Sequence, residues 1–234
     1  MTAQLRDVRT VLLPGSGSDE DYVRRAFAPA LAAAGATLVT PTPQPGRLID
    51  AYLEALDDGA RDGPIAVGGI SIGAVVAVAW ALAHVRDTVA VLVALPPWTG
   101  PSDNAPAALA ARHTAEQLRT NGLTATTSAM RASSPRWLAD ELTRSWTAQW
   151  PRLPEAFEEA ADYGAPGGDE LNRLHVPMGI VAAVDDPIHP LEVGVAWASA
   201  APQAALRTVM LDEFGPDPGQ LGAQCLAALD QAQP

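Results

Sequence analysis

One serine in this chain has the surroundings of a nucleophile. Ser71 stands at the centre of Gly69-Ile70-Ser71-Ile72-Gly73, between the apolar run Pro64 to Ile70 and the apolar stretch Ile72 to His84. A serine on a sharp strand-to-helix turn projects its hydroxyl from the carboxyl edge of a sheet, where a carbonyl carbon can reach it. The flanking glycines have a mechanical part. The turn strains the serine backbone and brings helix against strand so closely that larger side chains would collide. Acyl transfer also needs a base for the hydroxyl proton, and an imidazole is the usual one. The chain has four histidines, His84, His113, His175 and His189. His84 ends the stretch after Ser71, where free helix carbonyls suit it, and His175 enters a later strand; both read as structural. His113 lies in a helix predicted from Ala105 to Thr120 and reaches Ser71 only if that helix crosses the mouth of the site.

The elements that must position these groups are legible in the apolar pattern. Short β-rich runs at Val8 to Leu13, Thr37 to Thr40, Pro64 to Ile70, Thr88 to Leu95, Met178 to Val184 and Ala205 to Leu211 alternate with Ala-rich helical stretches. Such alternation calls for parallel strands with helices on both faces of the sheet. Ser18 is the expected N-cap of a helix running to Ala34, with Gly35 closing it in the left-handed conformation. The helix after Ser71, apolar nearly all round, is expected at the centre of the core. Between Leu95 and Val176 the alternation breaks into helices: Asn121-Gly122 is expected to end one, Ser134-Pro135 to start the next as N-cap and first-turn proline, and Pro166-Gly167-Gly168 to link back to the core. Residues 97–174 therefore read as a helical cap, inserted into a core made of residues 1–96 and 175–234. Trp98, Trp137, Trp146 and Trp150 fall in or beside it; Leu138, Leu142, Trp146 and Trp150 make an i, i+4 stripe that either packs the cap on the core or lines a substrate pocket.

The order of these elements around the Gly-x-Ser-x-Gly turn resembles the α/β-hydrolase superfamily over nearly the full length. In that superfamily the strand before the first helix ends in a turn whose amide joins the amide after the nucleophile in an oxyanion hole. The matching residues here, in Leu13-Pro14-Gly15-Ser16, give Ser16 and Ile72 as the donors. The segment Val184-Asp185-Asp186-Pro187-Ile188-His189-Pro190 resembles the superfamily's acid loop, which implies Asp186 as the triad acid, with Asp185 turned to solvent or capping the turn. The superfamily's histidine is expected after the final strand, and there the chain reads Leu211-Asp212-Glu213-Phe214-Gly215-Pro216-Asp217-Pro218. Pro216 holds the histidine's place and has no group that takes a proton. The replacement base is then His189, which shares the acid loop and so the carboxyl edge, with His113 as the alternative. Glu213 and Asp217 flank the vacant place, and Asp217, preceding Pro218, suits an N-cap of the last helix. The resemblance thus implies an α/β-hydrolase fold of about six mostly parallel strands with a helical cap.

The function expected on this basis is a serine esterase or thioesterase acting on a small, largely apolar acyl compound, with a non-standard proton relay and with Trp98, His113 and Trp146 at the substrate pocket. The alternatives are a hydrolase-like ligand-binding protein, or a lyase, isomerase or cyclase using the same pocket. A formal net charge of -12 opposes nucleic acid and anionic membrane surfaces as partners and favours a small-molecule substrate; the sequence is compatible with a homodimer. Gly15-Ser16-Gly17 lacks the third glycine of a dinucleotide loop, and Asp19, Glu20 and Asp21 would repel a pyrophosphate, so no nucleotide cofactor is expected. No His, Cys, Asp or Glu grouping has metal-site spacing, and no metal is expected either. The single Cys225, among Leu221, Leu226 and Leu229, reads as a core residue. The N-terminal residues carry no leader-like apolar segment and no apolar run reaches the roughly 18 residues that span a bilayer, from which a cytoplasmic location is expected.

Overall fold

A computed structural model describes residues 5–232. The outer ends of the expected core, and the first four residues of the N-terminal segment, lie outside the described residues. Six strands, β1 (Arg9–Leu13), β2 (Thr37–Val39), β3 (Ile65–Ile70), β4 (Thr88–Ala94), β5 (Met178–Ala183) and β6 (Ala204–Val209), form one sheet in the order β2-β1-β3-β4-β5-β6. Every neighbouring pair is parallel. The strands lie within a residue or two of the apolar runs in the sequence. The four inner strands are readable because both faces are buried: Leu12, Ala66, Leu92 and Val181 enter the core on one face, Val11, Val67, Val91 and Ile180 on the other, whereas the edge strands β2 and β6 are half-buried or exposed along most of their length.

Helices α1 (Glu20–Ala34) and α10 (Gly219–Gln231) cover one face, where Val23, Phe27 and Leu31 meet Leu221, Cys225 and Leu229. Cys225 is fully buried, with Sγ 3.3 Å from the Gly179 carbonyl, and burial pushes its thiol well above the usual range. The other face carries α2 (Leu48–Ala60), α3 (Ile72–Ala83) and α8 (Leu191–Ala200). Helix α3 is the expected central helix, buried at nine of its twelve positions. Because the chain passes from β1 outward to β2 and then returns to place β3 on β1's other side, the turns after β1 and β3 leave toward opposite faces. A crevice opens between them at the carboxyl edge.

Between β4 and β5 lie α4 (Pro106–Ser133), α5 (Arg136–Gln149), α6 (Leu153–Asp162) and the short α7 (Gly168–Leu171). Gly122, at φ 75° and ψ 173°, interrupts α4 where Asn121-Gly122 was expected to end a helix. Two expected caps are displaced by one residue. Asp19, not Ser18, caps α1 by accepting from the Tyr22 amide at 3.1 Å: Ser18 is the last residue of the turn closed on the Gly15 carbonyl, so the helix starts one residue later, and a carboxylate is the stronger acceptor. Pro135, not Ser134, holds the cap position of α5, and no side chain caps that helix. Gly35 closes α1 at φ 78°, as expected. A last short helix, α9 (Leu211–Phe214), follows β6. Among the described residues no helix is long and apolar enough to cross a membrane.

Candidate active site

Strand β3 is buried along its whole length and delivers Ser71 to the crevice. Ser71 has φ 54° and ψ -122°, a conformation that L residues hold only under compulsion and that costs on the order of 1–3 kcal/mol. Three hydrogen bonds compel it. Its amide donates to the Ala94 carbonyl of β4 at 2.9 Å, and its carbonyl accepts from the Ala74 and Val75 amides as α3 begins. The glycines do what the sequence suggested. A methyl on Gly69 or Gly73 would collide with the Leu13 carbonyl oxygen, so the turn after β1 can lie directly on the elbow only because both positions lack a side chain. A Cβ on Gly15 would stand 3.4 Å from Ser71 Cβ, which places the two turns side by side.

The turn after β1 is closed by the Ser18 amide donating to the Gly15 carbonyl at 3.1 Å, with Gly17 at φ 72° in the third position. That is the pattern of a type II turn, in which the second residue's N–H takes no part in the closing bond. The second residue is Ser16. Among the described residues neither the Ser16 nor the Ile72 N–H donates to a protein acceptor, and both belong to turns that meet beside Ser71.

The acid loop brings the remaining groups. Asp185 and Asp186, indistinguishable by type, are separated by their partners: Asp185 Oδ1 accepts from the Leu211 amide at 2.9 Å, at the start of α9, and is exposed. Asp186 turns inward. Its Oδ1 accepts from the Ile188 amide at 2.8 Å and the His189 amide at 3.2 Å, and its Oδ2 lies 2.7 Å from His189 Nδ1. His189 Nε2 lies 3.0 Å from Ser71 Oγ. The side chains of His189 and Asp186 are 16% and 9% exposed, enough shelter to strengthen the pair while leaving the imidazole reachable. Burial alone would raise the Asp186 carboxyl, but the His189 side chain, by hydrogen bond and charge, and the two loop amides outweigh it and hold the group below its ordinary range. An ionised Asp186 only accepts, so His189 Nδ1 carries the proton and Nε2 is left to accept from the Ser71 hydroxyl.

The other candidates lie elsewhere. His113 is exposed on α4, and the imidazole on Ser71 is that of His189. His84 stacks on Trp80 at 4.3 Å and its Nδ1 is 2.9 Å from the Trp80 carbonyl, a structural residue. Glu213 accepts from the Met210 amide and Asp217 from the Gly219 amide, so both carboxylates are engaged in capping. Trp98 is buried after β4, its carbonyl accepting from Trp197 Nε1 at 3.2 Å. Trp146 is buried edge-on to Phe157, with both rings against Gly17. Pro216 follows Gly215, on which the Trp137 indole of α5 rests, edge-on to Phe214 at 5.4 Å.

Carboxylate oxygens of Asp19, Asp21 and Glu141 gather within 4.8 Å, a grouping that sequence spacing could not show because it joins α1 to α5. Arg25 and Arg144 sit among them and supply the positive charge a metal ion would bring. Sequence reading also passed over Arg144 and Gln149 of α5, which bond to Asp19 and to the Ser18 carbonyl. Nothing in their spacing distinguishes them from solvated residues on a helix face.

No protein-family model and no curated protein matches this sequence. Solved structures do match in shape: a carboxylesterase from the thaumarchaeon Nitrososphaera gargenis (TM-score 0.75, 16% identity, 98% of this chain and 93% of that one). MenH from S. aureus follows at TM-score 0.72 and 15% identity, covering 97% of this chain and 95% of its own. The enol-lactonase from Burkholderia xenovorans LB400 matches at TM-score 0.71 and 16% identity, over 97% and 92%. At such identities the likeness speaks for the fold, and the fold is that of the α/β hydrolases.

Proposed function

We propose that the chain is a serine hydrolase of esters or thioesters with a small, largely apolar acyl group. The single observation that carries this reading is the continuous path Ser71 Oγ, His189 Nε2, His189 Nδ1, Asp186 Oδ2, with contacts of 3.0 and 2.7 Å. In the reaction, Ser71 Oγ attacks the carbonyl carbon while His189 Nε2 takes the hydroxyl proton. The carbonyl oxygen, now negative, receives hydrogen bonds from the Ser16 and Ile72 amides. Collapse of the adduct breaks the bond to the alcohol or thiol, which leaves with the proton held by His189. Water then enters by the same route and releases the acid. Asp186 holds the imidazole in the required tautomer and offsets its charge while it is protonated. We read residues 97–174 as the cap over this site, with Trp98 and Trp146 as apolar groups about the pocket.

A paired imidazole favours acyl transfer over the ligand-binding and lyase readings, neither of which requires one on Ser71. The test is labelling by a fluorophosphonate together with turnover of p-nitrophenyl acetate and butyrate. The wild-type protein is expected to do both, and Ser71→Ala neither. A folded wild-type protein that is inert in both assays would overturn the reading.

A further inference from the structure

The turn after β1 offers one of the two amides assigned to the oxyanion, and three contacts that fix its far half come from a single helix of the insertion. Trp146 Nε1 lies 2.8 Å, and Phe157 Cζ 2.6 Å, from where a Cβ on Gly17 would stand, so α5 and α6 press two rings onto this glycine. Gln149 Nε2 donates to the Ser18 carbonyl at 2.9 Å. Arg144 Nη1 and Nη2 donate to the two oxygens of Asp19 at 2.5 and 3.0 Å. Asp19 is 8% exposed and also accepts from the Tyr22 amide, so one carboxylate closes the first turn of α1 and receives the guanidinium fork. Arg144 is itself held by Glu141, and Glu141 by Arg25, whose second partner is Asp21. A bidentate arginine–carboxylate pair sets orientation as well as distance. The near end of the turn rests on the elbow, with Leu13 and Pro14 on Gly73 and Gly15 beside Ile70 and Ser71.

We propose that Arg144 is a positioning residue for catalysis: by gripping Asp19 it fixes the Gly15–Ser18 turn with the Ser16 N–H directed at the developing oxyanion. On this view the inserted helices complete the active site as well as cover it. The inference rests on the acyl-transfer reading above. Its physical basis is that an oxyanion donor acts through preorganisation: a small displacement of the amide leaves substrate binding nearly intact but weakens the bond made only in the transition state.

The test is Arg144→Met, which keeps the length of the side chain and removes both donors. On p-nitrophenyl butyrate kcat is expected to fall about 10- to 100-fold with KM little changed, as for a misplaced catalytic group. Affinity for an alkyl boronic acid, which forms a tetrahedral adduct on Ser71, should fall by a matching factor, and Arg144→Lys should recover part of both. Arg119→Met, which breaks the comparable ion pair with Glu158 between α4 and α6, serves as the control and leaves both unchanged. A kcat within about two-fold of wild type, or a loss appearing in KM instead, would overturn the proposal. If Arg144→Met yields too little folded protein, Asp19→Asn decides, because it keeps an acceptor for the Tyr22 amide while replacing the carboxylate oxygen that receives Arg144 Nη1; unchanged kcat there overturns the proposal equally. Failure of the functional reading is distinguishable, since the wild-type protein itself would then neither turn over ester nor take the fluorophosphonate label, and the proposal would fall with it.

Discussion

The acid loop after β5 and the turn after β6 leave adjacent strands at the same edge of the sheet, and they have opposite contents. In the first, Asp186 to Pro190 supply a carboxylate, an imidazole and two prolines; the imidazole reaches Ser71 and the carboxylate backs it. In the second, where the superfamily's histidine is expected, Phe214 is 2% exposed, Gly215 carries the Trp137 indole, and Glu213 and Asp217 are spent on capping. On the proposed function one loop serves the chemistry and the other serves packing. The difference teaches that an imidazole can be brought to Ser71 from a loop other than the one after the last strand: a spacing of three residues across Pro187 and Ile188 lets Asp186 and His189 fold onto each other within one turn.

The sharpest way to break the comparison is to remove each loop's principal side chain. His189→Ala is expected to lower kcat/KM by on the order of 10^4- to 10^6-fold, and Asp186→Asn by about 10^3- to 10^4-fold through loss of the tautomer, both measured on p-nitrophenyl butyrate. A loss of only a few-fold in His189→Ala would return the search for a base to the other loop. Phe214→Ala should do the converse, lowering stability by about 3–5 kcal/mol in urea unfolding with little change in kcat per folded molecule. A specific loss of kcat without loss of stability would show that the second loop reaches the chemistry.

The Asp186 carboxyl also makes a smaller, pH-dependent difference. Because its folded value is depressed, its contribution to stability is fully present above the ordinary carboxyl value of 3.8 and is lost as pH falls through the depressed folded value. The gap in urea midpoint between wild type and Asp186→Asn should therefore close with acid; a gap that stays constant with pH would mean that the carboxylate is not held by His189 and the loop amides. The smallest expected effect is none: Pro216→His in the His189→Ala background should recover no esterase activity, since Trp137 packed on Gly215 braces that turn for packing. Recovery would show that both loops can host the base.

Much of this was legible before any coordinates. The four inner strands could be read because burial on both faces makes each a short apolar run, the edge strands β2 and β6 because they alternate with helices in the same pattern, and the elbow because Gly69 and Gly73 stand where a side chain would strike Leu13. His113 could not be dismissed from sequence, because a helix period gives the direction of a side chain about its own axis and not where the axis lies. Asp186 rather than Asp185 was implied by the resemblance of its segment to the superfamily's acid loop, and it is the Ile188 and His189 amides that turn Asp186 inward. The expected Ser18 cap failed because Ser18 is the closing residue of the turn before the helix, which leaves Asp19 in the cap position.

The glycines that permit the Ser71 turn, and an acid and an imidazole three residues apart, are properties of local sequence, since each is set within a few residues; the strain on Ser71 itself is held by Ala94 of β4 as well. That His189 reaches Ser71, 118 residues away, and that Arg144 reaches Asp19 across 125, depend on how the strands order themselves and on where the inserted helices come to rest. Those distances are set by the packing of whole elements, on which the identity of a single residue has little bearing.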